Sequence, residues 1–145
     1  MRLRLIAAAA TAAATLVLAA LPAGAHGDVV PQAVDVSALP PLGEEWTETN
    51  PYLEDPAVRQ TAESVGSSAY NQNCARCHGL EVISGGIAPD LRFLPADEEG
   101  DHWFTSRVRS GAMRNGVTYM PSFEGILAQE ALWAIRTYIV SQHQE

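Results

Sequence analysis

The chain has two cysteines, and they stand three positions apart in the pentapeptide Cys74-Ala75-Arg76-Cys77-His78. Cysteines at this spacing can each add to one vinyl group of a single porphyrin, which gives two thioether bonds. A histidine directly after the second cysteine then lies beneath the iron, where its neutral imidazole can serve as the proximal ligand. The pentapeptide therefore predicts one covalent haem c, attached through Cys74 and Cys77 and ligated by His78.

Three other kinds of site use a similar cysteine pair. A thioredoxin-like site needs a strand before the motif, but residues 66–73 hold no β-branched side chain and have a helical pattern. A disulfide between the two cysteines would close a very small loop and stabilise the fold little. A zinc site would need a fourth protein ligand and usually a second paired motif, which the sequence lacks. Haem attachment is the favoured interpretation.

The second axial position of the iron has five candidates: Met113, Met120, His26, His102 and His143. Met120 stands between a glycine-bearing turn and Pro121, where little regular backbone bonding is expected, so its thioether can reach over the haem face. Met120 is therefore the predicted distal ligand. A bound thioether leaves no open iron position for oxygen or peroxide and favours ferrous iron. Without it, a five-coordinate haem enzyme or gas sensor would be the better hypothesis.

Two further groups could support the haem. A proximal histidine needs an acceptor for its other ring nitrogen, and a backbone carbonyl within residues 87–89 is suitably placed in the sequence. Arg107, Arg109 and Arg114 form a local basic cluster in an acidic chain. They could pair with the haem propionates or form a docking patch. The alternative for each arginine is a solvated surface residue.

Three segments with helical periodicity would position these residues. The first runs from residue 57 or 62 to residue 74. The second runs from residue 101 to about 112, with Asp101 as its N-cap. The third runs from about residue 128 to 142. Its core-facing stripe consists of Leu132, Ile135, Arg136 and Ile139.

The segments between the helices read as loops. Residues 79–88 contain three glycines and suit a loop around the haem edge, and Asn115-Gly116 marks a turn. No alternating strand pattern and no internal repeat is present in the sequence. The predicted fold class is all-α.

The first 25 residues have the three parts of a secretory signal peptide. Arg2 and Arg4 precede an Ala/Leu-rich stretch, and residues 23–25 give an A-x-A cleavage site. The alternative is an uncleaved membrane anchor, for which the apolar run is slightly short. The mature chain is thus expected in the periplasm and not embedded in a membrane. Export before haem attachment agrees with the cysteine motif.

The mature chain divides into two parts. Residues 26–56 carry five prolines, so they are predicted to form an extended N-terminal arm that lies on the domain or is partly disordered. Their apolar content favours partial docking over a free linker. Residues 57–145 are long enough for one domain with one core.

The charge of the chain is strongly acidic, with 17 acidic residues, nine arginines and no lysine. Cleavage after residue 25 would remove two of the arginines. Nucleic acid is therefore an unsuitable partner. An acidic protein is expected to dock on a neutral or basic patch, in an association that slows as salt screens the field. The alternative is that the acidity only keeps the protein in solution.

Several motifs together resemble class I cytochrome c. They are Gly66-x-x-x-Tyr70, the haem pentapeptide, Ala88-Pro89-Asp90-Leu91, Tyr119-Met120-Pro121 and Leu132-Trp133-x-Ile135-x-x-Tyr138-Ile139. The resemblance implies that the N- and C-terminal helices cross over the covalently bound haem at Gly66 and Tyr70. It also implies that the carbonyl of Pro89 orients His78 and that Met120 binds the iron.

A closer resemblance, to the PedF-type cytochromes c, extends over nearly the whole mature chain. Its motifs include residues 27–35 and 70–79, Trp103-Phe-x-x-Arg-Val-Arg109 and Arg114-Asn-Gly-x-Thr-Tyr-Met-Pro121. One departure is Ala128, where related sequences more often have a helix-capping serine, and its loss should fray the last helix slightly.

That resemblance implies a function in electron transfer. The protein would be a monomeric one-electron carrier with no catalysis of its own. It would accept electrons from a PQQ-dependent (quinoprotein) alcohol dehydrogenase and pass them to a terminal oxidase or another cytochrome. An alternative is a cytochrome subunit fixed within a larger dehydrogenase.

Overall fold

Four α-helices and one short hairpin make up the regular structure of this chain, as given by a computed structural model that describes residues 30–145. The predicted signal peptide and His26 lie outside the described residues. The helices are α1 (Pro56–Asn73), α2 (Ala75–His78), α3 (Glu98–Ser110) and α4 (Gln129–Ser141). The strands are β1 (Ala112–Arg114) and β2 (Val117–Met120), and two 3-10 turns span Leu80–Val82 and Leu91–Phe93.

The start of α1 is fixed by its cap. The Asp55 carboxylate accepts the backbone N–H of Ala57 at 2.8 Å, and Pro56 occupies the first turn, where its missing N–H costs nothing. The helix ends at Asn73, and α2 follows after Cys74. Of the two predicted starts, residue 57 is correct to within one residue and residue 62 is wrong, and the predicted end at residue 74 is correct to within one residue. The cysteine pair follows directly after the last turn of α1.

Helices α1 and α4 pack closely at the glycine that the sequence singles out. A Cβ atom on Gly66 would overlap the backbone carbonyl of Ala134, so only glycine permits this approach. One turn further along, the rings of Tyr70 and Tyr138 lie 5.5 Å apart between centroids, in a tilted arrangement. The structure thus contains the predicted contact between the two helices, whereas their crossing over a haem stays a prediction.

The start of α3 differs from the prediction. The helix begins three residues earlier than expected, at Glu98, because Asp97 and not Asp101 is its N-cap and accepts the N–H of Gly100 at 3.2 Å. Asp101 is instead buried in the first turn, where its carboxylate Oδ1 accepts a 2.6 Å hydrogen bond from Nε of Arg136. The helix also ends earlier, at Ser110.

The antiparallel hairpin β1–β2 was not expected from the sequence. Its strands have three and four residues and are mostly exposed, so they carry no alternating apolar pattern. The predicted turn at Asn115-Gly116 joins them, and both residues have positive φ (53° and 77°), as tight hairpin turns require. Mostly helical therefore describes the fold better than all-α does.

Helix α4 is almost wholly buried. The predicted stripe of Leu132, Ile135, Arg136 and Ile139 is confirmed as core, and Trp133 and Thr137 are buried as well. Ala128 gives no side-chain cap, as the sequence implies. The next residue ties the helix to the arm: the amide Nε2 of Gln129 donates to the carbonyls of Gly43 and Glu45.

Residues 30–55 contain no helix or strand, and they lie on α1 and α4. Leu39 and Tyr52 are buried in one apolar cluster with Ala62, Trp133 and Ala134. The Tyr52 hydroxyl donates to the carbonyl of Pro40 at 2.8 Å. These side chains of the arm thus form part of the core. The predicted domain boundary at residue 57 stays a prediction.

Among residues 30–145, none of the helices has the length and apolar character needed to cross a membrane.

Candidate haem site

Four residues with predicted roles line one cleft of about 430 Å³: Cys74, Cys77, His78 and Met120. Most of the remaining wall is apolar. It includes Leu91, Phe104, Val108, Phe123 and Ile139. The described residues thus bring two thiols, an imidazole and a thioether to the same apolar cavity.

The cysteines lie where α1 passes into α2. Both are free thiols. The pKa of the Cys74 thiol is raised to about 12, mainly by burial and secondarily by the nearby Cys77. A thiol that stays protonated is a poor participant in disulfide exchange, which argues against the thioredoxin-like alternative. It remains able to form a thioether.

His78 is held by the carbonyl that the sequence indicates. Its Nδ1 lies 2.9 Å from the backbone oxygen of Pro89. Burial lowers the pKa of the imidazole, and the hydrogen bond to Pro89 opposes that shift in part. A neutral ring that donates from Nδ1 keeps the lone pair on Nε2, which is the form that binds a metal.

The loop that carries Pro89 is anchored at both ends. At its start, the Tyr70 hydroxyl of α1 donates to the carbonyl of Gly79 at 2.9 Å. At its end, the guanidinium of Arg92 binds the carboxylate of Asp90 in a two-bond pair of 3.0 and 2.7 Å, which lowers the pKa of Asp90 to about 2. Neither contact was predicted from the sequence.

Met120 ends β2 and is half-buried against the main core cluster. Gly111, with φ of +69°, packs so closely on the Met120 backbone that a Cβ atom there would meet its carbonyl oxygen. Two residues after Pro121, the N–H of Phe123 donates to the carbonyl of Val108 at 2.7 Å. The segment around Met120 is therefore tied to the end of α3.

The other candidate ligands lie in less suitable positions. Met113 also lines the cleft, but it belongs to β1 and not to the end of a helix as expected, and its side chain is 72% exposed. His102 on α3 and His143 after α4 are not among the residues that line the cleft.

Comparison with known proteins agrees with this geometry. A family described as "Cytochrome C oxidase, cbb3-type, subunit III" matches residues 61–139. The chain is also 60% identical over 119 residues to cytochrome c550 of Pseudomonas aeruginosa, with 82% of each chain covered. The chain belongs to the cytochrome c family. It is accordingly a monohaem electron-transfer protein with one covalently bound haem c.

Two further relatives of this cytochrome are much longer. Quinohemoprotein alcohol dehydrogenase ADH IIB of Pseudomonas putida is 39% identical over 80 residues, which are 55% of this chain and 11% of that protein. The dehydrogenase subunit of the quinone alcohol dehydrogenase of Gluconobacter oxydans is 32% identical over 123 residues, which are 83% of this chain and 15% of that subunit. This cytochrome therefore spans only a small part of either dehydrogenase. No solved structure matches it.

The cleft of this cytochrome fits a haem. Its wall is mostly apolar, two thiols line it, and the imidazole of His78 can bind a metal through Nε2 because Nδ1 is engaged by Pro89. A thioether stands on the same cavity, and a soft sulfur ligand suits ferrous iron.

The predicted arginine cluster is divided by the fold. Arg107 and Arg114 line the cleft, and the guanidinium of Arg107 lies 5.5 Å from the centre of the Trp103 ring. Arg109 points elsewhere and forms an ion pair with Glu124 at 2.6 Å. Within the described part of the chain, no aspartate or glutamate lines the cleft. The cavity of this acidic cytochrome is thus locally basic.

Proposed function

We propose that this cytochrome holds its haem through thioether bonds to Cys74 and Cys77, with His78 and Met120 as the axial iron ligands. The haem supplies a one-electron ferric/ferrous couple. The observation that carries the proposal is that all four side chains lie on one apolar cleft, with the His78 ring already oriented by Pro89. His78 and Met120 would fill both axial positions, which suits electron transfer and leaves no site for substrate chemistry.

A pair of methionine variants tests the ligand set. In Met120→Ala, we expect the ferric protein to lose the weak far-red band of a bound methionine sulfur, and the reduction potential to fall. Ferrous protein should then bind carbon monoxide rapidly. Met113→Ala is the matched control, because this residue borders the same cleft with an exposed side chain, and it should behave as wild type. An unchanged Met120→Ala spectrum would favour a five-coordinate haem enzyme or gas sensor.

The proposed electron donor is a PQQ-dependent alcohol dehydrogenase, and the proposed acceptor is a terminal oxidase or another cytochrome. The resemblance to PedF-type cytochromes supports this pathway, as does similarity to parts of two alcohol dehydrogenases. We place contact with the donor at the mouth of the cleft, where Ile87 and Tyr119 are 77% and 65% exposed beside Arg107 and Arg114. This local charge favours a neutral or acidic face on the donor, in contrast to the basic patch expected from the net charge.

Stopped-flow reduction by a purified quinoprotein alcohol dehydrogenase tests the pathway. The rate should exceed that of a generic donor and should fall as salt is raised, because screening weakens charge steering. The double variant Arg107→Gln/Arg114→Gln should slow reduction and flatten the salt dependence, whereas Arg59→Gln, on α1 and absent from the cleft wall, should not. Reduction no faster than by the generic donor would refute the pathway. Co-purification with a dehydrogenase in high salt would favour a fixed subunit over a diffusing carrier.

The proposed location is the periplasm, and the proposed state there is a monomer. The signal-like composition of residues 1–25 supports export. Sequencing the N-terminus of protein from a periplasmic extract should give a chain that starts at residue 26. A chain that starts at residue 1 would favour the uncleaved anchor.

A further inference from the structure

The N-terminal arm reaches the loop that follows Met120 through a single arginine. The centre of the Trp46 ring lies 4.9 Å from the guanidinium carbon of Arg109, within the range of a cation–π contact. The same guanidinium donates from Nε and Nη2 to one carboxylate oxygen of Glu124, at 2.9 and 2.6 Å. Arg109 is therefore held between the arm and the segment 120–124, which we term the ligand loop.

The ligand loop is bound to the same arginine a second time. The hydroxyl of Ser122 donates to the backbone carbonyl of Arg109, and the N–H of Glu124 is directed to that hydroxyl at 3.3 Å. Both ends of the Arg109 residue, backbone and side chain, thus contact residues within four positions of Met120. Movement of Arg109 would be passed directly to the methionine.

The position of Trp46 in the arm is itself fixed on both sides. Before it, the amide of Gln129 donates to the carbonyls of Gly43 and Glu45 at 2.8 and 2.9 Å. After it, the N–H of Asn50 donates to the buried carboxylate of Asp101 at 2.8 Å. The indole is partly buried against the core cluster on which Met120 also packs. Hydrogen bonds thus hold the backbone on both sides of Trp46 in place.

We infer that Trp46 is a positioning residue for the axial methionine, acting through Arg109 and Glu124 to keep the ligand loop closed over the iron. The inference rests on the proposed role of Met120 as ligand. It assigns the arm a part in the redox site, although the family match begins only at residue 61. Loss of Trp46 should therefore make the bond between sulfur and iron open more often without changing which residue is the ligand.

The experiment measures how fast imidazole replaces methionine as the iron ligand of the ferric holoprotein. Loss of the far-red band reports the replacement. Imidazole is present at a saturating concentration, so that opening of the bond between sulfur and iron limits the rate. Trp46→Leu should speed this replacement roughly fivefold, the size expected from losing one half-exposed cation–π contact. Trp46→Phe keeps an aromatic face for Arg109 and should stay within about twofold of wild type. Arg109→Met should speed it at least as much as Trp46→Leu, because it also removes the pair with Glu124.

Two comparisons separate positioning from a general loosening of the arm. Tyr52→Phe removes the arm's hydrogen bond to Pro40 in a different apolar cluster from the one against which Trp46 and Met120 pack, and it should leave the rate unchanged. In the double variant Trp46→Leu/Arg109→Met the two effects should not add, because the residues act through one contact. A fivefold effect of Tyr52→Phe, or additive effects in the double variant, would overturn the inference.

The same data distinguish failure of this inference from failure of the ligand assignment. If the far-red band persists in Met120→Ala, the ligand assignment is wrong and the inference is overturned with it. If Met120→Ala loses the band but Trp46→Leu replaces its ligand at the wild-type rate, the inference alone is overturned.

Discussion

Helix α4 contacts two regions that are built in different ways. On one side, it meets α1 through a backbone approach at Gly66 and α3 through a buried ion pair between Arg136 and Asp101. On the other side, it meets the cleft, whose outer wall is formed by the loop 79–90 and the hairpin, with Ile87, Met113 and Tyr119 exposed. The first region is packed against other parts of the chain. The second leaves apolar surface for a cofactor and a partner.

The largest expected effect comes from adding one methyl group to the α1–α4 contact. Gly66→Ala would drive a Cβ atom into the carbonyl of Ala134, so the helices must separate. We expect a loss of roughly 4 kcal/mol or more in the free energy of unfolding, measured by urea titration, because backbone cannot move aside as a side chain can.

Gly85→Ala is the matched control on the cleft side. No atom lies within 4 Å of the added Cβ, and the residue does not need positive φ. The change should therefore alter the free energy of unfolding by about 0.5 kcal/mol or less. Equal losses in the two variants would contradict the difference between the regions.

A smaller effect is expected from breaking the buried ion pair. Arg136→Met leaves the carboxylate of Asp101 buried without its cation, although Asn50 still donates to it. We expect a loss of about 3 kcal/mol in the free energy of unfolding, since a stranded buried charge is costly. Arg92→Met breaks the partly exposed pair with Asp90 at the cleft and should cost much less. The reverse order would show that the cleft wall, and not the helix contact, carries the stability.

The smallest effect depends on pH and concerns the cleft wall alone. Arg92 holds the pKa of Asp90 at about 2, below the usual 3.8. Because the folded state binds this proton less readily than the unfolded chain, the pair stabilises the fold above about pH 4 and loses that contribution as the pH falls toward 2. Asp90→Asn should therefore lower the urea midpoint at pH 7 and lower it less at pH 3. A deficit of equal size at both pH values would be evidence against this pair.

The sequence predicted the helices better than it predicted what stabilises them. Helical periodicity located α4 and the end of α1 to within one residue, although it left the start of α1 open between residues 57 and 62. The resemblance to class I cytochrome c indicated the hydrogen bond from His78 to Pro89. Asp101 was mistaken for a cap because an aspartate at the start of an apolar stripe is typical of one. Its burial depends on Arg136, 35 positions later, and no local pattern reports such a pairing.

The hairpin and the arm contacts were missed for a related reason. Strands of three or four exposed residues carry no alternation, so only their turn was recognisable. Likewise, the three arginines form one cluster in the sequence, yet the fold turns Arg109 toward Trp46 and leaves Arg107 at the cleft. Periodicity reports which face of a helix is buried, but not which distant segment covers it.

The bonds from Gln129 to the arm join positions 86 and 84 residues apart along the chain. The arm lies far from α4 along the chain, so its contacts with α4 form only after this long loop has closed. Closing a loop of that length is slow compared with forming α1. Docking of the arm on α4 is therefore expected to be one of the late steps of folding, after α1 has formed.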